Sequence, residues 1–309
     1  MRIVVALGGN ALAKRGQPIT AEMLRHNIRS SVVALSDLAR DNEVVITHRK
    51  GPQVRLLALQ GLAYNVVPPY PLDILGAQSQ GMIGYPLQQE LMNELGGDRE
   101  VVTILTTTQV CADDPDFSDP TKAVGPLYTA AEARGVEHAY GWQTKPDGSG
   151  FRRVVPSPKP VRIIESAAIG ELIASGRVVI CVGGGGVPVT IKDGISTGVE
   201  AVVDKDLASA ELALELQADT LLILTDGDYV VKNWGEPTAR AIAKVSPEIL
   251  EQMSFSPGTM APKVAAAVAM ARSGGRALIG PLDRLSDVLD GNVGTEVRQD
   301  VAGGVIYAD

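Results

Sequence analysis

The sequence predicts an α/β fold, a mainly parallel sheet with helices covering both of its faces. Three observations carry that expectation. Short apolar runs such as Arg2–Leu7, 178–182 and Thr220–Thr225 have the unbroken hydrophobicity of strands buried on both faces. Amphipathic stretches of helical period alternate with them, which places the strands side by side and the helices across them. The third is compositional: aromatic residues make up only 4% of the chain against 45% hydrophobic residues overall, and glycine is plentiful, as close packing of helices on a sheet requires.

In chain order, the strand 2–7 ends in Gly8-Gly9-Asn10. Thr20 caps a helix to about residue 40, with Leu24, Ile28, Val32 and Leu35 on one face. Strand 43–47 leads into His48-Arg49-Lys50-Gly51-Pro52-Gln53 and a helix whose apolar surface is expected from Leu56, Leu57 and Leu59. Residues 73–95 read as a long helix interrupted by glycines at 76, 81 and 84, and 101–105 as a third strand. The alternation lapses from about 111 to 160, a stretch rich in Asp, Pro, Gly and Ser with only a short helical patch at 130–134. It reads as a small lid-like excursion carrying Lys122; a linker is the alternative, and Phe117, Tyr128, Tyr140, Trp142 and Phe151 argue for packing. Alternation resumes with a helix at 163–174, a strand at 178–182, a helix at 206–216 and strands at 220–225 and 228–232. Pro262 opens a helix to about residue 272, and strands at 276–280 and 304–307 close the sheet.

The 309 residues suffice for one large or two medium domains, and the net charge of −8 argues against nonspecific nucleic-acid binding. No apolar run reaches membrane-spanning length, and 1–7 is too short for a signal peptide. Cys111 and Cys181 both lie in apolar runs and read as core thiols of a reducing cytoplasm. His26, His48 and His138 have no metal-ligand spacing, so no metal site built from protein side chains is expected.

The stretch 177–206 carries the strongest functional signal. Its strand runs into Gly183-Gly184-Gly185-Gly186, where consecutive amides can form an anion nest, and Lys205 follows between Asp204 and Asp206. A tight turn and a solvated salt bridge are the plain alternatives. Neither standard nucleotide signature fits: Pro188 breaks G-x-G-x-x-G, and Met82-Ile83 replace the Lys-Ser/Thr of a P-loop at Gly76 to Gly81.

Across nearly its whole length the chain resembles the carbamate kinases of the amino-acid kinase family. The resemblance rests on Ala6-Leu7-Gly8-Gly9-Asn10, Thr47-His48, Gly51-Pro52-Gln53-Val54, the segment from Ala77 to Tyr85, and Asp119-Pro120-Thr121-Lys122. It continues through the segment from Arg152 to Pro160, the glycine run, the segment from Gly198 to Asp206, and Pro257-Gly258-Thr259-Met260-Ala261-Pro262-Lys263. It implies a three-layer α/β/α sandwich with a protruding lid and a homodimer. The implied reaction moves a phosphoryl group reversibly between ATP and carbamate, with Mg2+ on the nucleotide. An N-terminal lobe (about 1–175, lid about 112–160) would hold the small anionic acyl substrate, and a C-terminal lobe (about 176–309) the ATP or ADP. By resemblance Lys122, Lys205 and Lys263 meet the transferring phosphoryl group with Asp206 orienting lysines. Gly8, Gly9, Asn10, Arg49, Lys50 and Gly51 serve the acyl substrate, and Gly184, Gly185, Thr225, Asp228, Tyr229 and Met260 the nucleotide. Arg152 and Arg153 read as lid-surface charges, and Trp142 and Trp234 as packing residues.

One loop departs from the family pattern. Where carbamate kinases read Thr-His-Gly-Asn-Gly-Pro-Gln-Val-Gly, this chain has Thr47-His48-Arg49-Lys50-Gly51-Pro52-Gln53-Val54-Arg55. Three readings stand: a larger or more acidic acceptor held by Arg49 or Lys50, carbamate retained with the long side chains outward, or a blocked site that binds nucleotide without turnover.

Overall fold

The computed structural model describes residues 1–309 except 10, 15, 65, 257 and 309. The first half opens with β1 (Arg2–Leu7), α1 (Ala21–Asp41), β2 (Glu43–His48), α2 (Gly51–Ala63), α3 (Leu72–Leu95), β3 (Val101–Thr103) and β4 (Thr107–Val110). The excursion holds β5 (Lys122–Tyr128), α4 (Ala130–Tyr140), β6 (Gln143–Asp147) and β7 (Gly150–Val155). Then come β8 (Pro160–Ile163), α5 (Ser166–Ala174), β9 (Val178–Ile180), β10 (Val187–Lys192), β11 (Ile195–Gly198) and α6 (Lys205–Glu215). The chain closes with β12 (Thr220–Thr225), β13 (Val230–Lys232), β14 (Arg240–Val245), α7 (Pro247–Glu251), α8 (Met260–Arg272), β15 (Arg276–Pro281), α9 (Leu285–Asp290), β16 (Thr295–Val297) and β17 (Val305–Tyr307).

The main sheet runs β13-β14-β16-β15-β12-β1-β2-β9-β3, with β17 on β14, and its central strands from β15 to β3 are all parallel. Alternate residues of β1 feed two cores: Val4 and Ala6 pack with α5, α6 and α8, while Ile3, Val5 and Leu7 pack with α1, α3 and α9. Strict period-2 alternation into two apolar layers is the three-layer sandwich. Thr20 accepts from Met23 N at 3.2 Å as the cap of α1, and Leu24, Ile28, Val32 and Leu35 are buried.

Several expectations need correction. α3 is not interrupted: its glycines lie within one continuous helix, and at Gly84 a Cβ would stand 2.4 Å from Thr103 Cγ2. Glycine there lets α3 lie close on β3 rather than breaking it. In α2 the buried residues are Gln53 and Val54, and Leu59 is exposed, because the helix covers a lid edge and not the main sheet. The expected helix 163–174 begins only at Ser166, since 160–163 forms a strand on β4. The excursion is a three-stranded antiparallel sheet, β5-β7-β6, with a full helix from Ala130 to Tyr140. Cys111 is exposed, not a core thiol, and Trp234 is 80% exposed, not a packing residue.

Candidate active site

Because the central strands are parallel, the loops after β1, β2, β9 and β12 all emerge at one edge of the sheet. The chain moves from β1 to β2 and β9 on one side and returns to β12 and β15 on the other, a topological switch point where open α/β sheets bind ligands. Gly8 marks it: a Cβ there would be 2.4 Å from the Leu224 carbonyl oxygen, so only glycine lets β1 leave the sheet beside β12. Asn10 lies outside the described residues.

The charges gather at the start of α6. Asp204 caps this helix by accepting from Asp206 N at 2.9 Å, which sets Lys205 and Asp206 in its buried first turn. Asp206 Oδ2 accepts from Lys263 Nζ at 2.7 Å, and Lys205 Nζ stands 2.7 Å from Asp206 Oδ1. Burial pushes the Asp206 carboxyl up, but Lys205 and Lys263 outweigh it and hold it down to about 2. Burial pulls the Lys205 ammonium down to about 8 against the pull of Asp206. Asp206 Oδ1 takes at most part of the donor capacity of Lys205, whose ammonium carries three N–H groups, so Lys205 Nζ keeps buried donors unmatched among the described residues. Such a donor beside the N-termini of α6 and α8, which pack against each other, is placed for an anionic oxygen. Lys122, first residue of β5, reaches in from the lid to 3.6 Å from Asp204 Oδ2. The structure therefore brings Lys205, Lys263 and Asp206 together, with Lys122 on the adjoining carboxylate.

The divergent loop divides. Arg49 is exposed and its Cδ lies 4.0 Å from a Cβ built on Gly9, while Lys50 turns inward and is only 7% exposed. Its aliphatic stem runs across Gly184, where a Cβ would lie 2.0 Å from Lys50 Cγ and Cδ. Its ammonium donates to the Gly186 carbonyl at 3.0 Å, and no carboxylate pairs with it among the described residues. Burial pulls it down to about 8. The other glycines of the run are equally close to protein: His48 and Gln80 fill the space beside Gly183, the Val203 carbonyl that beside Gly185, and Thr108 that beside Gly186. Gly51 opens α2 at the surface.

Of the expected nucleotide residues, Thr225 ends β12, Asp228 is exposed in the following turn, Tyr229 packs on the α1/α3 core, and Met260 opens α8 against the other core. Reasoning from sequence passed over His48, whose ring Nδ1 contacts the Arg49 carbonyl at 3.0 Å and which burial holds neutral, down to about 4. It also passed over Gln80, whose amide exchanges two 2.9 Å hydrogen bonds with the Thr106 backbone. Arg153 is a correction: it is 9% exposed, not a surface charge, with its guanidinium 4.1 Å from the Trp142 ring and paired to Glu200. Its place next to the apolar Val154 and Val155 was too weak a signal to show this, because all three are buried with no period-2 alternation. Two cavities of about 870 and 530 Å³ open at the opposite end of the strands, around Asp219, but their arginines are already engaged: Arg276 and Arg298 with Glu296, Arg2 with Glu43, Arg40 with Asp98, and Arg99 with the carbonyls of Gly176, Ala39 and Asn42.

A three-layer sandwich with lysines and helix N-termini gathered at its switch point has the layout of an amino acid kinase. Residues 1–280 match the model of the Amino acid kinase family, and the chain belongs to that family. Within it the similarity is to carbamate kinases. The chain is 52% identical over 294 residues to the carbamate kinase of Escherichia coli K12, covering 95% of this chain and 98% of that one. It is 46% identical over 310 residues to the carbamate kinase of Haemophilus influenzae, covering 100% of both. The solved carbamate kinase of Giardia lamblia bound to AMP-PNP superposes with a TM-score of 0.92 at 35% identity, over 97% of this chain and 98% of that one.

Proposed function

We propose that this chain is an ATP-dependent phosphotransferase of the carbamate kinase type, interconverting ATP and carbamate with ADP and carbamoyl phosphate. The observation that carries the reading is the Lys205–Asp206–Lys263 cluster with Lys122 beside it. A carbamate oxygen attacks the γ-phosphorus, the bond from that phosphorus to the β,γ-bridging oxygen breaks, and charge spreads over the three equatorial oxygens. Lys205, Lys263 and Lys122 receive that charge, while Asp206 fixes the two buried ammonium groups at right reach. The carbamate oxygen is already anionic, so no general base is needed, and His48, neutral and enclosed, does not supply one.

Gly8, Gly9, Asn10, Arg49, Lys50 and Gly51 serve the acceptor in this reading. The stem of Lys50 fills space over Gly184, which favours a small acceptor over a bulky acid, and its ammonium lacks a counter-anion that carbamate or the acyl phosphate provides. In this reading Thr225, Asp228, Tyr229 and Met260 serve the nucleotide, and Gly184 and Gly185 shape its site through the Lys50 stem and the Val203 carbonyl packed on them. Mg2+ arrives with the nucleotide in this reading, whose phosphate oxygens are the hard donors that cation takes. It would supply positive charge against the nucleotide's phosphates, in addition to that of Lys205, Lys263 and Lys122. Exposed thiol Cys111 and buried thiol Cys181, both free, support a cytoplasmic setting. A homodimer is supported by the exposed Tyr64, Val66, Val67 and Tyr70 between α2 and α3, continued along α3 by Ile74, Tyr85 and Met92.

The test is ATP formation from ADP, Mg2+ and carbamoyl phosphate, read by a coupled luminescence assay. Turnover abolished by Lys205→Met is the expected result; nucleotide binding with no turnover in either direction would reject the reading.

A further inference from the structure

We propose that Arg153 and Glu200 form a latch between lid and body, and that Arg153 is a positioning residue that sets where Lys122 stands. The inference rests on the phosphotransferase reading. The lid reaches the segment leading into α6 at three points. Val202 N donates to the Pro156 carbonyl at 3.0 Å, Lys122 stands 3.6 Å from Asp204, and Arg153 pairs with Glu200. Glu200 accepts through its other oxygen, Oε1, from Leu72 N at 2.8 Å, one of the amides at the start of α3 that have no partner within the helix. One carboxylate thus ties the lid to the N-terminus of the helix that borders the acceptor loop.

The register makes the coupling direct. Lys122 lies opposite Val155 across the β5–β7 pair, and Arg153 is two residues before Val155, on the same face of β7. Glu200 and Asp204 are four residues apart on the partner segment, so the two ionic links run side by side between the same two pieces of chain. They differ in holding strength. Arg153 is nearly enclosed, stacked on Trp142 and hydrogen-bonded to a carboxylate that is itself 44% exposed but anchored by Leu72 N, whereas Lys122 stands 3.6 Å from Asp204, beyond hydrogen-bond distance. Lys122 must leave Asp204 to meet a transferring phosphoryl group, and during that exchange its own link no longer holds the lid. Arg153 and Glu200 hold the strand while the lysine changes partner.

The experiment uses the full chain carrying Trp234→Phe, which removes an exposed tryptophan and leaves Trp142 as the one remaining fluorophore of the two. Glu200→Gln keeps an oxygen for Leu72 N while removing the charge. It is expected to lower kcat for ADP and carbamoyl phosphate by roughly tenfold, to shift Trp142 emission, and to leave the nucleotide KM within about twofold. In a Lys122→Ala background the same substitution is expected to change kcat by less than about twofold, since a residue acting through Lys122 has nothing left to position. Equal kcat in Glu200→Gln and parent would overturn the latch, as would an undiminished loss in the Lys122→Ala background or a loss matched by the unfolded fraction. A parent without turnover would remove the phosphotransferase reading and the latch with it, whereas a parent that turns over beside an equally active Glu200→Gln would remove the latch alone.

Discussion

Lys50 shows at the scale of one residue what burial does to a charge. The departure from the family loop was visible in the sequence, but its direction was not, because whether a lysine points in or out depends on Gly184, 134 positions away. Lys50 is pulled from 10.5 to about 8 by burial, so the folded state disfavours its charge. Below pH 8 both folded and unfolded chains carry the proton and the full cost is present. Between pH 8 and 10.5 the unfolded chain still holds a proton that the folded one has released, and stability rises with pH. Lys50→Met keeps the stem over Gly184 and removes the charge. It is expected to stabilise the ligand-free protein at pH 7 by up to about 3 kcal/mol, a gain that fades towards pH 10.5 and shrinks when phosphate is added. Urea unfolding at several pH values checks this; a gain independent of pH would show that packing, not charge, separates the two proteins.

At the scale of elements, apolar continuity decided what could be read. The buried strands β1, β2, β9 and β12 announce themselves because each contains an unbroken run of three or more apolar residues and lies between helices. The lid strands do not: β5 contains Gly125 and Pro126, β6 contains Lys145 and Pro146, and both are half exposed, so their pairing comes from contacts across the lid rather than from composition. The hairpin β10–β11 was equally silent, since β11 is exposed throughout. The glycine run was legible as a place where side chains are not tolerated, but the reason lay outside it, in the elements that pack against it. That distinction is measurable. Gly185→Ala would drive a Cβ to 2.3 Å from the Val203 carbonyl at φ +87°, a backbone collision with no easy relief, and is expected to cost about 3 kcal/mol or more. Gly184→Ala meets instead the flexible stem of Lys50 at φ +61°, so Lys50→Ala should recover part of its loss. A double-mutant cycle in denaturant is expected to give about 1–2 kcal/mol of coupling for Gly184 with Lys50 and almost none for Gly185 with Lys50.

For the molecule as a whole, the acidic surface and the apolar stripe on α3 have separate consequences. Net charge of −8 keeps chains apart in general, so association needs a specific patch whose apolar contact exceeds that repulsion. The patch between α2 and α3 has the required continuity: Ile74, Gly81, Tyr85 and Met92 recur on one exposed side of a 24-residue helix, and Tyr64, Val66, Val67 and Tyr70 extend it at the N-terminal end. Gly81 in the middle allows two such helices to approach closely. The stripe lies on the far side of α3 from Ser79, Gln80 and Ile83, which are buried against the sheet, so a partner seated there would stiffen the helix without covering the Lys205–Asp206–Lys263 cluster. Sedimentation equilibrium is expected to give the mass of two chains for the parent and of one for Val66→Lys with Tyr85→Glu. The monomeric variant is expected to keep its fold by circular dichroism and to lose thermal stability as a function of protein concentration no longer, since the parent's Tm alone is linked to association. A variant that remains two chains in mass would place the contact elsewhere on the surface.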